Sequence, residues 1–566
     1  MNQPSNQLKL GAVLSYVSTG LNMAVQLLYT PLMIRLLGQS EYGLYTLVGS
    51  VVSYLSLFSL GFTGAYLRFY SQRKAKNDTV GIARLNGMFL SVFLLMSLAA
   101  FVCGMVLLQF PRTLFGSKLT ASELNTAKVL MAILVVNIAL TFPAGLLESM
   151  VTAHEKFLFQ QLVTLASVVF NPLMCLPLLL MGFGSVAVVS VTTILTVAKL
   201  AVSAWYCVKK LDVRFRFDGF EFACLREIAG FSFFLFLNMV INQINWSVDK
   251  FILGQVSGTE AVAVYGVGSQ INSLFISFST AISAVFAPRV HRIAADSDPD
   301  KAGRFSELFL RVGRVQYLIL MLIASGFVVF GRYFITNIYA TESYVQAYPV
   351  ALLLILPALV PLIQNLGIEI QRAMNQHRFR SVIYSIMALL NVLVSIPLAR
   401  RFGPPGAALG TTISLVIGNG LIMNVFYARR LHLNIVGFWK SIALLSRGML
   451  APAVLGVWIL KCWHFGNIWQ FLAGIALYTL VYCASMWLLG MNREEKALAQ
   501  KRLRSSYFAR MLLMVAAVVV GVVAPCFHYV AALVPFLVPQ PVLMLRRSIV
   551  TARAKRAAKQ SREKGE

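Results

Sequence analysis

Apolar runs of about 20 to 28 residues follow one another along most of the chain, parted by short polar turns. A helix needs roughly 20 apolar residues to cross the hydrocarbon core of a bilayer. Inside lipid, a helix satisfies its own backbone groups. The pattern therefore predicts membrane-spanning helices over 10–34, 42–66, 85–109, 124–150, 157–181 and 185–208. Six more follow over 229–254, 261–288, 307–331, 346–372, 379–400 and 406–428, and two over 442–463 and 468–490. The fold class is an all-α polytopic membrane protein with about 14 transmembrane helices.

The runs are not independent. "RLLGQSEYGLYTLVGSV" (35–51) and "FILGQVSGTEAVAVYGVGSQ" (251–270) both read LGQ, a short polar turn, Tyr and a new apolar run. Sliding the first half by 216 residues lays the first helix on the seventh. Asn22 then falls on Asn238, Gln26 on Asn242 and Tyr29 on Asn245. Further on, "AHEKF" (153–157) parallels "NQHRF" (375–379), Asn171 parallels Asn391, Pro177 parallels Pro397, and "FGSVAVVSVTTI" (183–194) parallels "FGPPGAALGTTI" (402–413). The expected organisation is two pseudo-symmetric six-helix lobes, residues 1–208 and 229–430, joined by a basic linker (209–228). Six is even, so both copies begin on one side of the membrane, as parallel repeats about an axis along its normal. Two additional helices follow in 431–490, then a cytoplasmic loop, apolar hairpin and basic tail in 491–566.

Composition agrees. The chain has 566 residues, 58% hydrophobic and 12% charged, with a mean hydropathy of +0.74; a soluble domain carries about 25% charged residues. The net charge of +28 could suggest nucleic acid. Its Lys and Arg instead cluster between apolar runs, as in loops on the cytoplasmic membrane face, so no nucleic-acid partner is expected. With the N-terminus inside, Arg73, Lys74, Lys76, Lys209, Lys210, Arg289, Arg292, Arg378, Arg380, Arg429 and Arg430 fall inside, while few basic residues fall outside. The seven Cys form no CxxC pair, and neither a metal site nor a cofactor is expected. The first apolar run is long enough to span, unlike that of a cleaved signal. Residues 511–545 form a further apolar run interrupted by Pro525, Pro535, Pro539 and Pro541, ahead of a basic tail. A short hairpin there would keep the tail inside.

Polar positions within the runs nominate a site. Asn22, Gln26 and Tyr29, like Asn238, Asn242 and Asn245, are spaced to share one helical face. Single polar residues of this kind can bond a neighbouring helix; stripes facing each other across a pseudo-two-fold would line a cavity. Ionisable groups within membrane helices are costly in lipid and face a cavity or a partner. Asp249, Glu148 and Glu369 are the candidates for ion coupling. Arg35, Arg68 and Lys250 are candidates for contact with an anionic cargo, with snorkelling at helix ends as the other reading.

"PLMIRLLGQSEYGLYTLVGSV" (31–51), "LGFTGAYLRFYS" (60–71) and "NWSVDKFILGQVSGTEAVAVYGVGSQ" (245–270) resemble the polysaccharide-exporter branch of the multidrug/oligosaccharidyl-lipid/polysaccharide exporter superfamily. The resemblance covers roughly residues 10–430. It implies two six-helix lobes facing each other across a cavity that opens alternately to either side. It also implies a cargo, an oligosaccharide on undecaprenyl pyrophosphate, carried across a bacterial cytoplasmic membrane alongside a polymerase and other polysaccharide-assembly proteins, in pathways such as O-antigen and lipopolysaccharide biosynthesis. No GxxxxGK[ST] loop and no Ser/His/Asp constellation stands out, so the expectation is a transporter and not an enzyme. The alternatives are a cation-coupled multidrug antiporter of the same superfamily and a membrane glycosyltransferase. The latter would need a large external loop, and none is seen.

Overall fold

The computed structural model describes residues 4–59, 62–116, 118–218, 222–296, 300–374, 376–493 and 495–497, and these contain no strand. The long helices are α1 (Pro4–Leu37), α2 (Gln39–Ala75), α3 (Thr79–Leu107), α4 (Ala121–Ala153), α5 (Phe157–Leu180) and α6 (Gly184–Lys209). A second set runs α7 (Phe222–Ser257), α8 (Thr259–Ala295), α9 (Lys301–Tyr339), α10 (Ala347–Ile363 with Leu366–Ala373), α11 (His377–Phe402) and α12 (Pro404–Arg429). Last come α13 (Ile435–Cys462) and α14 (Ile468–Gly490). Among the described residues twelve helices are long and apolar enough to cross a membrane, thirteen with α10 as one span. With α7, whose 36 residues suffice by length, they occupy the fourteen positions read from the sequence.

Equivalent helix ends recur at one spacing. Leu37 and Ser257 close α1 and α7, Ala75 and Ala295 close α2 and α8, and Ala153 and Ala373 close α4 and α10, each pair 220 apart in residue number. This corrects the 216-residue register. The second LGQ is not a corner: α7 runs helically through Leu253, Gly254 and Gln255, and the chain turns at Gly258. Gly38 and Gly258 have φ of 77° and 87°, a region only glycine enters freely, and each stands directly before a helix. Asn22 is therefore the counterpart of Asn242, and Tyr29 that of Asp249. Four residues are close to one helical turn, so the shift leaves the shared face unchanged.

Local signals support the repeat. Asp78 accepts a hydrogen bond from the Gly81 backbone N–H at 2.7 Å at the start of α3, and Asp300 accepts one from Gly303 at 3.0 Å at the start of α9. Such side chains satisfy amide groups left unpaired at a helix N-terminus. In the first lobe α4 packs on α2, α3 and α6; in the second α10 packs on α8, α9 and α12. The single helix expected over 346–372 is in fact bent by 45° between Ile363 and Leu366. Pro361 lacks the N–H that would bond the carbonyl of Pro357, and a tighter turn follows, with Gln364 N–H donating to the Pro361 carbonyl at 3.2 Å.

The chain falls into two compact units, one reaching Trp439 without 180–183, the other made of Leu180–Phe183 and the chain from Lys440. Within the second, Gly448 sits against the Met486 backbone, so α13 and α14 pack closely there. The hairpin expected over 511–545 and the basic tail lie outside the described residues.

Candidate transport site

The two lobes meet through the corners that begin α2 and α8. A Cβ at Gly43 would overlap the Thr259 carbonyl oxygen, so the helices touch there backbone to backbone. Glu123 opens α4 in a capping box with Thr120, and its Oε1 accepts from Ser40 at 2.5 Å and Thr259 at 2.9 Å. One carboxylate thus stands at the N-termini of α4, α2 and α8, where it is favoured by the helix dipoles.

Cross-lobe latches flank this contact. Arg35 donates from the end of α1 to the carbonyls of Asn337 (2.5 Å) and Ile338 (3.0 Å) at the end of α9. Its counterpart Gln255, at the end of α7, donates to the carbonyls of Thr113 (2.9 Å) and Leu114 (2.5 Å) in the short helix Pro111–Phe115. The sequence offered Arg35 as a cargo ligand; in this structure it holds the other lobe. Replacing both residues, Arg35→Ala with Gln255→Ala, is expected to loosen this end. Each lost bond is worth about 1 kcal/mol net, so labelling of a Leu47→Cys reporter by a membrane-impermeant thiol reagent should speed up by about tenfold or more. An unchanged labelling rate would show that the latches do not hold the ends together.

The polar stripe of α1 also crosses between lobes. Gln26 donates to Asn22 at 2.9 Å and accepts from Gln270 of α8 at 2.9 Å. Asn22 is exposed. The helix-bonding reading therefore holds for Gln26 in this state. The side chains of Asn238 and Asn242 lie outside those described. Arg68 is exposed on α2, and Lys250 is half-buried next to Asp249. Glu148 is ion-paired with Lys199 at 2.6 Å, between α4 and α6, and Glu369 with Arg372 at 2.9 Å.

Asp249 stands apart. It is 2% exposed. Its Oδ2 accepts from the Tyr265 hydroxyl at 2.6 Å and from Thr411 at 2.7 Å, whereas Oδ1 is buried without a partner. Ser395 donates to Asn391 at 2.7 Å, and Thr411 lies 3.5 Å from the same Asn391 oxygen. The first lobe repeats this cluster without charge. Tyr29 replaces Asp249, Tyr45 replaces Tyr265, and Cys175, beside the Tyr29 hydroxyl, replaces Ser395. Asn171 donates to Thr192 at 3.3 Å, as the copy of the Asn391–Thr411 pair. Only the second lobe carries the carboxylate, and a charge buried that deeply requires a proton or a cation.

Within the second lobe a cavity of about 440 Å³ opens beside this cluster. Asn245, the one predicted stripe residue on its wall among the described residues, is joined by Asn272, Asn391, Thr411 and Asn419; Arg380 and Tyr384 line it from the start of α11. Among the described residues, none that borders it is Asp or Glu. Sequence reading missed Arg380 because it counted as a loop charge; its spacing to Tyr384, Met387 and Asn391 on one helical face was the available signal.

The family model described as polysaccharide biosynthesis protein matches residues 8–294. The chain belongs to that family. No curated protein matches the sequence. Among solved structures, the chain resembles "Lipid II flippase MurJ, inward closed conformation", at 17% identity and TM-score 0.65, over 84% of this chain and 97% of that one. It also resembles "Inward-facing conformation of a multidrug resistance MATE family transporter of the MOP superfamily", at 13% identity and TM-score 0.59, over 74% and 96%. A third is "Crystal structure of eukaryotic MATE transporter AtDTX14", at 15% identity and TM-score 0.54, over 77% and 99%. At these identities the likeness establishes a shared polytopic fold. Family, fold and candidate spans together make the chain a multi-pass membrane protein of the polysaccharide biosynthesis family.

Proposed function

We propose that the protein is a flippase that carries an undecaprenyl-pyrophosphate-linked oligosaccharide across a bacterial cytoplasmic membrane by alternating access. The observation that carries this reading is the second-lobe cavity, with amides along its wall and, among the described residues bordering it, one arginine and no carboxylate. Amide side chains offer both donors and acceptors to sugar hydroxyls, and a guanidinium offers a fork to phosphoryl oxygens. Cationic drugs, the cargo expected of the multidrug alternative, would find no counter-charge on that wall.

In this reading the N-terminus is cytoplasmic, as the distribution of Lys and Arg favours. The Gly38 and Gly258 corners then face outward and are held shut by the latches, while Arg380 lies toward the inner leaflet. The lipid tail stays in the bilayer, and the head group passes between the lobes. The protein moves the cargo without making or breaking a covalent bond. Asp249 supplies the coupling by exchanging a proton or sodium ion during the cycle. Glu148 and Glu369, each held by a basic partner, are weaker candidates. A polymerase and other assembly proteins would act on the exported lipid-linked cargo.

The test is reconstitution. A fluorescent lipid-linked oligosaccharide in proteoliposomes should redistribute between leaflets, read by a membrane-impermeant quencher, faster than in protein-free vesicles. Redistribution no faster than in empty vesicles, together with uptake of a cationic dye driven by a proton or sodium gradient, would decide for the antiporter.

A further inference from the structure

We propose that Arg380 and Tyr384 form an anion subsite that receives the phosphoryl groups of the cargo, and that the amide wall deeper in the same cavity receives its sugars. This assignment rests on the flippase reading above and divides its site into two parts.

Arg380 occupies the first turn of α11. Its guanidinium lies 4.5 Å from the centroid of the Tyr384 ring and donates to the Tyr384 hydroxyl at 2.6 Å. That hydroxyl in turn donates to Asn419 at 2.6 Å. Stacking and hydrogen bonding together fix the plane of the guanidinium, so little side-chain freedom remains to be lost on binding. Among the described residues no carboxylate lies within ion-pair distance of Arg380. Among those residues it is also the only cation bordering the cavity. A guanidinium carries five donors, and the Tyr384 hydroxyl takes one of them. The rest suit an arriving oxyanion, whose negative charge would offset the cost of holding an arginine at the edge of a membrane helix.

The remainder of the cavity has different chemistry. Arg380, Tyr384, Met387 and Asn391 follow one face of α11, so Asn391 lies about 17 Å deeper than Arg380 at 1.5 Å per residue. Around that depth the wall is neutral and amide-rich. Asn272, on the cavity wall, is 6% exposed and its Oδ1 is buried without a partner, so a turn of its side chain toward the cavity would present an unmet acceptor to a sugar hydroxyl. A charge at the helix end with neutral amides beyond it matches a cargo whose phosphates stay at the level of the lipid head groups while its glycan reaches inward. An acidic sugar would present the same anion chemistry, but it would lie among the amides and away from the arginine.

Full-length protein in lipid nanodiscs tests this with three probes: geranylgeranyl pyrophosphate, geranylgeranyl monophosphate and a lipid-free glucuronic-acid oligosaccharide. The unaltered protein should bind the pyrophosphate more tightly than the monophosphate, and the acidic oligosaccharide should not compete with it. Arg380→Ala should weaken pyrophosphate binding by about thirtyfold, Arg380→Lys by about tenfold through loss of the planar fork, and Tyr384→Phe by about threefold. Melting temperatures of the variants check that they are folded. Should the alanine variant fold poorly, Arg380→Lys still keeps the charge and Tyr384→Phe still keeps the stacked ring. Unchanged pyrophosphate affinity in folded Arg380→Ala overturns the subsite, as does competition by the acidic oligosaccharide that Arg380→Ala abolishes. If the unaltered protein still translocates lipid-linked oligosaccharide in either case, the flippase reading survives and only the subsite falls. Absence of both binding and translocation removes both.

Discussion

Asp249→Asn is expected to stop transport almost completely while leaving the protein folded in the membrane. The amide is nearly the same size as the carboxylate, and its oxygen can still accept from Tyr265 and Thr411, the two donors that now hold Oδ2. What disappears is the ability to take up and release a proton or to hold a cation at the buried, unpartnered Oδ1. Coupling free energies of 1–3 kcal/mol correspond to about 5- to 150-fold, so a fall of at least tenfold in the initial rate of translocation is expected. Asp249→Glu should keep part of the activity, because it retains the charge in a displaced position. Tyr265→Phe removes one donor but not the carboxylate and should cost less than Asp249→Asn. The first lobe supplies an internal control. Tyr29→Phe alters the neutral copy of the cluster and should leave coupling in place. Full transport by a stably inserted Asp249→Asn protein would show that this carboxylate is structural.

Gly43→Val should lock the lobes out of the arrangement seen here. Its Cβ would overlap the Thr259 carbonyl, a backbone atom that no rotamer change can move aside. The corners of α2 and α8 must then separate, at a cost of about 1–3 kcal/mol or more to this closed end. The loss is selective, since a state in which the corners have already parted has no such clash. The variant should therefore insert normally yet populate the parted state. A Leu47→Cys reporter would become reactive to a thiol reagent added on the corner side, and translocation would fall by about tenfold. Leu47 is fully buried and meets Gly254 of the other lobe in the present arrangement, so its reactivity reads the separation directly. Normal translocation with an unreactive reporter would mean that α2 and α8 can bow around the added methyl groups without parting.

Fourteen helices, the doubling of a six-helix unit and the placing of Asp249, with Glu148 and Glu369, as an acid within a membrane helix were all legible in the order of the residues. Each depends on a local or periodic property: the length of an apolar run, the recurrence of a corner, or an acid placed where lipid makes acids expensive. The register of the repeat was not legible, because an LGQ string inside a helix looks the same as one at a corner. Only the positive φ at Gly258 shows which residue makes the turn. The bend in α10 was written in Pro357 and Pro361, yet membrane helices tolerate proline, so the residues alone did not say that the helix would break. The partners of Arg35, Gln255 and Arg380 were decided by tertiary structure alone. Arg35 and Gln255 bond backbone carbonyls about 300 and 140 residues away in the chain, and no local pattern records which loop will come to lie opposite a helix end. Arg380 reads as one more basic residue beside a turn until α11 and α12 fold together and place Asn419 behind Tyr384. Sequence determines which side chains are costly to bury in a membrane; the packing of distant helices determines what relieves that cost, and so which of them bind, couple or close the path.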